Sequence, residues 1–377
     1  MLNWLHILLR RHVIQSFLVI LCTFSLCYIV FYRNVLPLGE WEFALQELNG
    51  KLMFENATTQ RTNSTLLTLA RNADLNEMIE TVWNYESRFN KRYHYPWVFL
   101  NDEPFNEEFK SIIGRLVSGD VTFGTVPKHH WQLPDWIDRQ VASARWMQLG
   151  ADNVLYGAME SYHHMCRYFS GFFYKHSLLE PYRYYWRIEP GTRLLNGVPY
   201  DPFRILIQEN KTYGFNIAIH EIEETVPSLW NTTLEFLGQH PSALAPNNLW
   251  NWISSLNGTE YSMCHFWSNF EIADLEFFKS DIYNAYFDFL DKKGGFFYER
   301  WGDAPVHSIA LALFLDRSKI KFFDEIGYSH APLTHCPHGK SNMACDGRDS
   351  VDFTSGSCLP SFLNLTEGFH YNLTAHS

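Results

Sequence analysis

The chain is short of positive charge and concentrates it nowhere. Thirty Lys and Arg stand against 41 Asp and Glu, a formal net charge of −11. No basic patch exists, so no nucleic-acid partner is expected, because polyanion binding needs clustered cations. Cysteine is also scarce, seven in 377 residues, with no C-x-x-C pair among them. That weakens any structural zinc reading, which usually rests on closely spaced thiolates. No internal repeat and no low-complexity segment interrupts the chain. What it does have is 46% hydrophobic and 17% aromatic residues, the make-up of a packed globular protein rather than a disordered one.

One local absence is more telling. Residues 13–32, VIQSFLVILCTFSLCYIVFY, carry no charge over twenty positions. A helix of that length reaches about 30 Å, the thickness of a bilayer's hydrocarbon core. Arg10 and Arg11 precede it, which favours a cytoplasmic N-terminus. A cleaved signal peptide is the competing reading. Its apolar region usually spans about 7–15 residues and ends at small residues. Here Phe31, Tyr32 and Arg33 follow instead. The expected layout is a cytoplasmic tail at 1–12, a signal-anchor at 13–32, a stem at 33–62 and one lumenal domain at 63–377. Sequons at Asn56, Asn63, Asn210, Asn231, Asn257, Asn364 and Asn372 all lie beyond the anchor, as glycan acceptors must.

Cys22 and Cys27 fall in the apolar segment; Cys166, Cys264, Cys336, Cys345 and Cys358 fall beyond it. An oxidising lumen favours disulfides. Five is odd, so at least one thiol is free or pairs between chains.

The domain opens on a βαβ pattern. An apolar run at 66–70 predicts a buried strand. Asp74 and Glu77 resemble a capping box, and Leu75, Met78, Ile79, Val82 and Phe89 mark one face of a helix ending near Asn90. A second strand follows at 96–100. Arg71 sits in the loop after the first strand, where open α/β sheets place ligands and a helix N-terminus favours anions. It reads as a nucleotide or phosphate contact, or as a surface arginine. Further on, 136–149 predicts a helix and 184–189 a strand ending in a carboxylate. Residues 203–208 and 213–220 look extended. Residues 275–292 predict one long helix stopped by Gly294-Gly295, and 306–314 another.

Four segments mix charged groups with aromatics: 162–167 (YHHMCR), 187–190 (RIEP), 265–271 (HFWSNFE) and 298–307 (YERWGDAPVH), with His330 beyond them. Carboxylates in such water-poor settings are candidates for catalysis, although residue types alone favour structural ion pairs.

Longer motifs carry more. MCHFWSNFEI, FFYERWGDAPVHSIALALFL and GYSHAP resemble the fungal α-1,2-mannosyltransferases of the Kre2/Mnt1 (Ktr) family. So do TLARN, YPWVFLND, FGTVPKHHW, ESYHHMCRYFSGFF and YWRIEPG, in the family's order across about 64–360. The resemblance implies an α/β, GT-A-like nucleotide-sugar transferase fold with a mixed central sheet. It implies a Golgi type II enzyme that moves mannose from GDP-mannose to a mannosylated glycoprotein in α-1,2 linkage, with retention, using Mn²⁺. It places Glu271 at the nucleophile position and His330 with Glu189 at the metal. Tyr162, Arg187 and Asp303 would line the donor and acceptor pocket, and Arg71 would lie near the nucleotide.

These roles make chemical sense. A divalent cation neutralises the departing diphosphate, and manganese accepts imidazole beside carboxylate. Retention needs a nucleophile or nucleophile-like group on the sugar face opposite the nucleotide, and a fixed carboxylate can attack or stabilise oxocarbenium charge. Trp267, Phe266 and Tyr162 could stack on sugars or belong to the core.

Two departures stand out. Many relatives carry an acid where this chain has Gly191, and Cys-Asp where it has Asn196-Gly197. They motivate a second reading, a catalytically weak relative that binds mannan or acts as a scaffold. A third reading is a different donor or linkage.

Overall fold

A computed structural model of the chain describes residues 61–338, 345 and 347–368. The charge-free stretch 13–32, Cys22, Cys27, Asn56 and Asn372 lie outside the described residues. Among those described, no helix is long and apolar enough to cross a membrane.

The strands that matter below are β1 Ser64–Leu69, β2 Trp97–Asn101, β3 Val121–Thr125, β4 Tyr184–Ile188, β5 Arg193–Leu194, β6 Tyr213–Phe215, β7 Ala218–His220, β8 Cys264–Phe266, β9 Phe270–Asp274, β10 Ile320–Phe322, β11 Tyr328–His330 and β12 Leu333–His335. The helices that matter below are α1 Leu75–Tyr85, α2 Arg139–Ala151, α3 Glu160–Gly171, α4 Pro202–Gln208, α5 Leu275–Lys279, α6 Asp281–Lys293, α7 Asp303–Phe314 and α8 Leu359–Thr366. Seven strands form one mixed sheet in the order β10-β6-β9-β4-β1-β2-β3. β4, β1, β2 and β3 run parallel; β9 is antiparallel to β4 and β6.

The sheet is buried on both faces, which is why its central strands read as unbroken apolar runs. Alternation sorts the side chains. Leu66, Trp97, Trp186 and Ile272 face one core, with α1. Leu67, Val98, Tyr185 and Ala273 face the other, with α3, α6 and α7. Strand order reverses between β1 and β4: β2 and β3 extend to one side of β1, and β4 lies on the other. Such a switch point opens a crevice beyond the strands' C-terminal ends.

The βαβ pattern holds, with changes at its edges. Asp74 turns back to accept from the Arg71 backbone N–H at 2.8 Å, rather than pairing with Glu77. α1 stops at Tyr85 and continues as wide π-type turns over Glu86–Asn90. Residues 203–208 are helical, not extended. Asp201 caps α4 by accepting from the Phe203 and Arg204 N–H groups, and Pro202 takes the first turn. Residues 213–220 are two short strands in different sheets. The long helix at 275–292 is two, because Ser280 is extended (φ −62°, ψ 149°) and caps α6 through Tyr283 N–H. Gly294 ends α6 in the left-handed conformation expected of a helix-stopping glycine (φ 78°). α7 begins at Asp303, three residues before the predicted 306. The helix predicted from 136 begins at Arg139, where Asp138 caps it.

Cys264 is disulfide-bonded to Cys358 and Cys336 to Cys345; Cys166 is free and buried. The first bridge ties β8 to the start of α8. His220 lies beside its sulfurs, but sulfurs bonded to each other are not thiolate ligands.

Candidate active site

The switch point gathers most of the expected site. Arg71 follows β1 and Glu189 follows β4, its parallel neighbour. Arg71 is exposed and already paired, closing on Asp74 at 2.7 Å.

Arg187 is the hub. Its guanidinium, 2% exposed, donates to Asp303 Oδ2 at 2.5 Å and to Glu189 Oε1 from Nε at 2.8 Å. It also lies over the Phe169 ring at 3.5 Å. Burial alone would lower its pKa, but Asp303, Glu189 and Glu271 together hold it well above the ordinary value. Asp303 also accepts from Ser268 Oγ at 2.7 Å. Burial pushes its carboxyl up; Arg187 and His307 outweigh that and hold it below the usual carboxylate range. Asp303 is therefore charged at neutral pH.

Glu271 stands directly opposite Arg187 across the β9–β4 ladder, on the same face. It is fully buried. Tyr185 OH donates to one oxygen; Tyr213 OH (3.0 Å) and His307 Nδ1 (2.9 Å) meet the other. His307 Nε2 lies against the Phe169 carbonyl at 2.9 Å. Burial would lower the His307 pKa, yet the charge of Glu271 raises it above the ordinary histidine value.

His330 ends β11, a strand of a second small sheet. Its ring lies along Trp267 at 5.5 Å, and Nδ1 meets the Asn269 amide at 2.5 Å. Its Nε2 is thereby turned to the space over Gly191. A Cβ at Gly191 would lie 4.0 Å from that nitrogen and 3.9 Å from Glu77 Oε2. Burial lowers the His330 pKa, with Glu189 and Glu77 acting in the opposite direction. The imidazole is neutral at pH 7 and has the lone pair a ligand needs.

The departures are built into this geometry. Gly191 takes a left-handed φ of 80° where the chain turns toward β5. Asn196 clamps the turn that leads to His330: its Nδ2 donates to the Glu325 carbonyl at 2.9 Å, and its Oδ1 accepts from Gly327 N–H at 2.7 Å.

Tyr162 stands in the first turn of α3, within the field of Asp303 and Glu221. Burial, first of all, raises its phenol pKa well above the ordinary value. The buried Arg300 guanidinium lies 5.4 Å from its ring and reaches Glu221 Oε1 at 3.5 Å.

Sequence reasoning missed Tyr185 and Tyr213, whose hydroxyls face inward only because β4 and β6 flank β9. His307 lay within a marked segment with no role assigned to it. Glu77 stood out only as a possible cap. Several marked groups are structural instead. Arg167 forms a two-pronged pair with Asp291, both bonds 2.7 Å. His163 has backbone carbonyls at both ring nitrogens. Glu299 meets Trp301 Nε1 and Ser228 N–H. Phe266 is fully buried and stacks on Trp252, so it is core; Trp267 remains at the site.

The chain is 58% identical over 334 residues to O-glycoside alpha-1,2-mannosyltransferase homolog 2 of Schizosaccharomyces pombe, covering 88% of this chain and 90% of that protein. It is 47% identical to alpha-1,2 mannosyltransferase KTR1 of Saccharomyces cerevisiae, covering 84% and 82%. Its fold matches the crystal structure of core-mannan synthase A (CmsA/Ktr4) from Aspergillus fumigatus in its Mn/GDP form. That match has TM-score 0.77 and 42% identity, over 82% of this chain and 86% of the other. Residues 43–367 match the glycolipid 2-alpha-mannosyltransferase family, and the chain belongs to that family.

Proposed function

We propose that this chain transfers mannose from GDP-mannose to mannoside acceptors on glycoproteins, forming α-1,2 linkages with retention, on a variant of the GT-A fold. The observation that carries this reading is the Arg187–Glu189–Asp303 cluster with neutral His330 above Gly191, set at the β4–β1 switch point. Its relatives' named activity and the Mn/GDP form of the Aspergillus enzyme support the donor and the metal.

The residues fit a manganese ion. A neutral imidazole and a partly exposed carboxylate suit that ion, and Gly191 leaves the space beside His330 Nε2 free of a side chain. Glu189 and His330 would hold it, and it would offset the negative charge that grows on the departing GDP. Arg187 keeps Glu189 and Asp303 in fixed positions. Asp303, held charged, accepts hydrogen bonds from sugar hydroxyls and so orients them; Tyr162 walls the same space. Arg71 borders the nucleotide side. Of the two roles open to Glu271, attack and charge stabilisation, its closed-in carboxylate favours the second. It acts as a fixed negative charge beneath Arg187 and the sugar.

We also place the enzyme in the Golgi membrane, anchored by residues 13–32 with its catalytic domain lumenal. Arg10 and Arg11 before the charge-free run support this, as do the sequons. Asn63, Asn210, Asn231, Asn257 and Asn364, the five within the described residues, are all exposed.

The test is direct. The lumenal domain, given GDP-mannose, Mn²⁺ and methyl α-mannoside, should yield an α-1,2-linked product identified by NMR. A panel of other nucleotide sugars should yield none. GDP binding without transfer to any acceptor would favour the scaffolding reading. Gly191 and Asn196 no longer motivate that reading, since both have a structural task at the site.

A further inference from the structure

We propose that Tyr156 is a sugar-stacking platform at the mouth of this site. It would take the ring that precedes the accepting mannose in an oligomannoside. The inference rests on the mannosyltransferase reading and deepens it.

The segment between α2 and α3 holds a costly backbone. Asn153 and Tyr156 have φ of 57° and 58°; asparagine tolerates this left-handed conformation, but a bulky tyrosine avoids it. Such strain persists only where the surroundings over-determine it, and it collects at ligand sites. Here they do so. Val154 N–H bonds Leu149 O at 2.9 Å, Gly157 N–H bonds Val154 O at 2.9 Å, and Met159 N–H bonds Tyr156 O at 3.0 Å. His163 Nε2 meets the Gly157 carbonyl at 2.9 Å. A Cβ on Gly157 would come within 2.5 Å of Leu149 Cβ, so the turn packs against α2 without room for a side chain.

What this rigid turn presents is an exposed ring. Tyr156 is 47% exposed. One face stacks on Tyr162, with centroids 4.7 Å apart and planes at 27°. Tyr162 in turn meets Arg300, which reaches Glu221, and lies in the field of Asp303. The order from charged cluster to solvent is therefore Asp303 and Glu221, Arg300, Tyr162, Tyr156. Leu155 and Met159 beside it are exposed as well. Strain spent on holding an aromatic ring out of the core is explained if something stacks on it. The C–H face of a pyranose does so, because its weakly positive hydrogens meet the negative face of the ring. A mannose oriented by Asp303 would put the next ring outward, past Tyr162, at Tyr156. A single fixed, flat platform suits a second sugar ring better than a flexible apolar chain.

The experiment compares wild type, Tyr156→Asn and Tyr156→Trp with GDP-mannose and Mn²⁺. Asn tolerates the left-handed backbone while removing the ring; Trp restores a ring. The acceptors are methyl α-mannoside, α-1,2-mannobiose and octyl α-mannoside. In Tyr156→Asn the KM for mannobiose should rise about tenfold, with KM and kcat for methyl α-mannoside within about twofold. Tyr156→Trp should restore the mannobiose KM. An equal change for both mannosides, or a loss confined to octyl α-mannoside, would overturn the platform; the latter would mark an apolar-aglycone contact. Calorimetric titration of mannobiose into the GDP-loaded proteins reads the same ratio without turnover. A wild type that transfers to no acceptor counts against the proposed activity, while an unchanged binding ratio counts against Tyr156.

Discussion

Two carboxylates flank the same arginine, Glu271 across the strand ladder and Glu189 two residues along the chain, and live in opposite worlds. Glu271 is closed inside an aromatic core and is met by two tyrosine hydroxyls and an imidazole. Glu189 is partly exposed and, among the described residues, its carboxylate is held by Arg187 alone. Each has a histidine nearby, shifted in opposite directions: His307 up, against Glu271, and His330 down, by burial. A carboxylate with its partners in place contributes to the fold and to the field of the site. A carboxylate with an open oxygen is left for a ligand. Burial and bonding, not residue type, separate the two.

The largest effect should come from Glu271→Gln. Putting an amide among donors that need an acceptor breaks a buried pair, which costs about 3 kcal/mol. Activity should fall at least about 100-fold. Denaturant unfolding and steady-state kinetics check both; unchanged stability would mean that the Glu271 pocket is less closed than described. Glu189→Gln should do the reverse. Calorimetry should show the Mn²⁺ affinity of the GDP complex falling about 10- to 100-fold, while stability shifts by less than about 1 kcal/mol, as expected of a partly exposed group. Equal destabilisation by both variants would erase the contrast between them.

Gly191→Ala is a smaller probe. No atom lies closer than 3.9 Å to its new Cβ, so only the φ of 80° is penalised, about 1 kcal/mol. GDP–Mn²⁺ binding should survive; its loss would mean that the space over Gly191 must stay fully open.

The smallest effect is a pair of titrations, followed by NMR in metal-free protein. His307 should titrate above the usual histidine value near 6.5 and His330 below it. The signs for stability then differ. His307 binds its proton more tightly folded than unfolded. Its contribution is fully present below pH 6.5 and fades as pH rises through its folded value. His330 binds its proton less tightly when folded, so stability falls as pH drops below 6.5. Titration of both at one pH would remove the distinction.

Much of the site was legible from local pattern. Arg71 after an apolar run, Glu189 before Pro190-Gly191 and Gly294 after an amphipathic helix each carry their meaning within a few residues. Local pattern also misled. Residues 203–208 are apolar enough for a strand, and the start signal lay just outside them in Asp201-Pro202. Ser280 splits a helix whose apolar spacing runs on past it. The partners of Glu271 were beyond reach, because Tyr185, Tyr213 and His307 come from three distant segments.

By itself the sequence determined which residue types were available, a strand-helix-strand opening with an acid at the end of β4, and a family likeness strong enough to name a chemistry. Only tertiary structure decided which acid is closed in and which is open, how five cysteines leave Cys166 unpaired, and that a strained turn holds Tyr156 outward. The reason is physical. Propensity and spacing act over one or two turns of chain, whereas desolvation and hydrogen-bond satisfaction depend on what the rest of the chain places within a few ångströms.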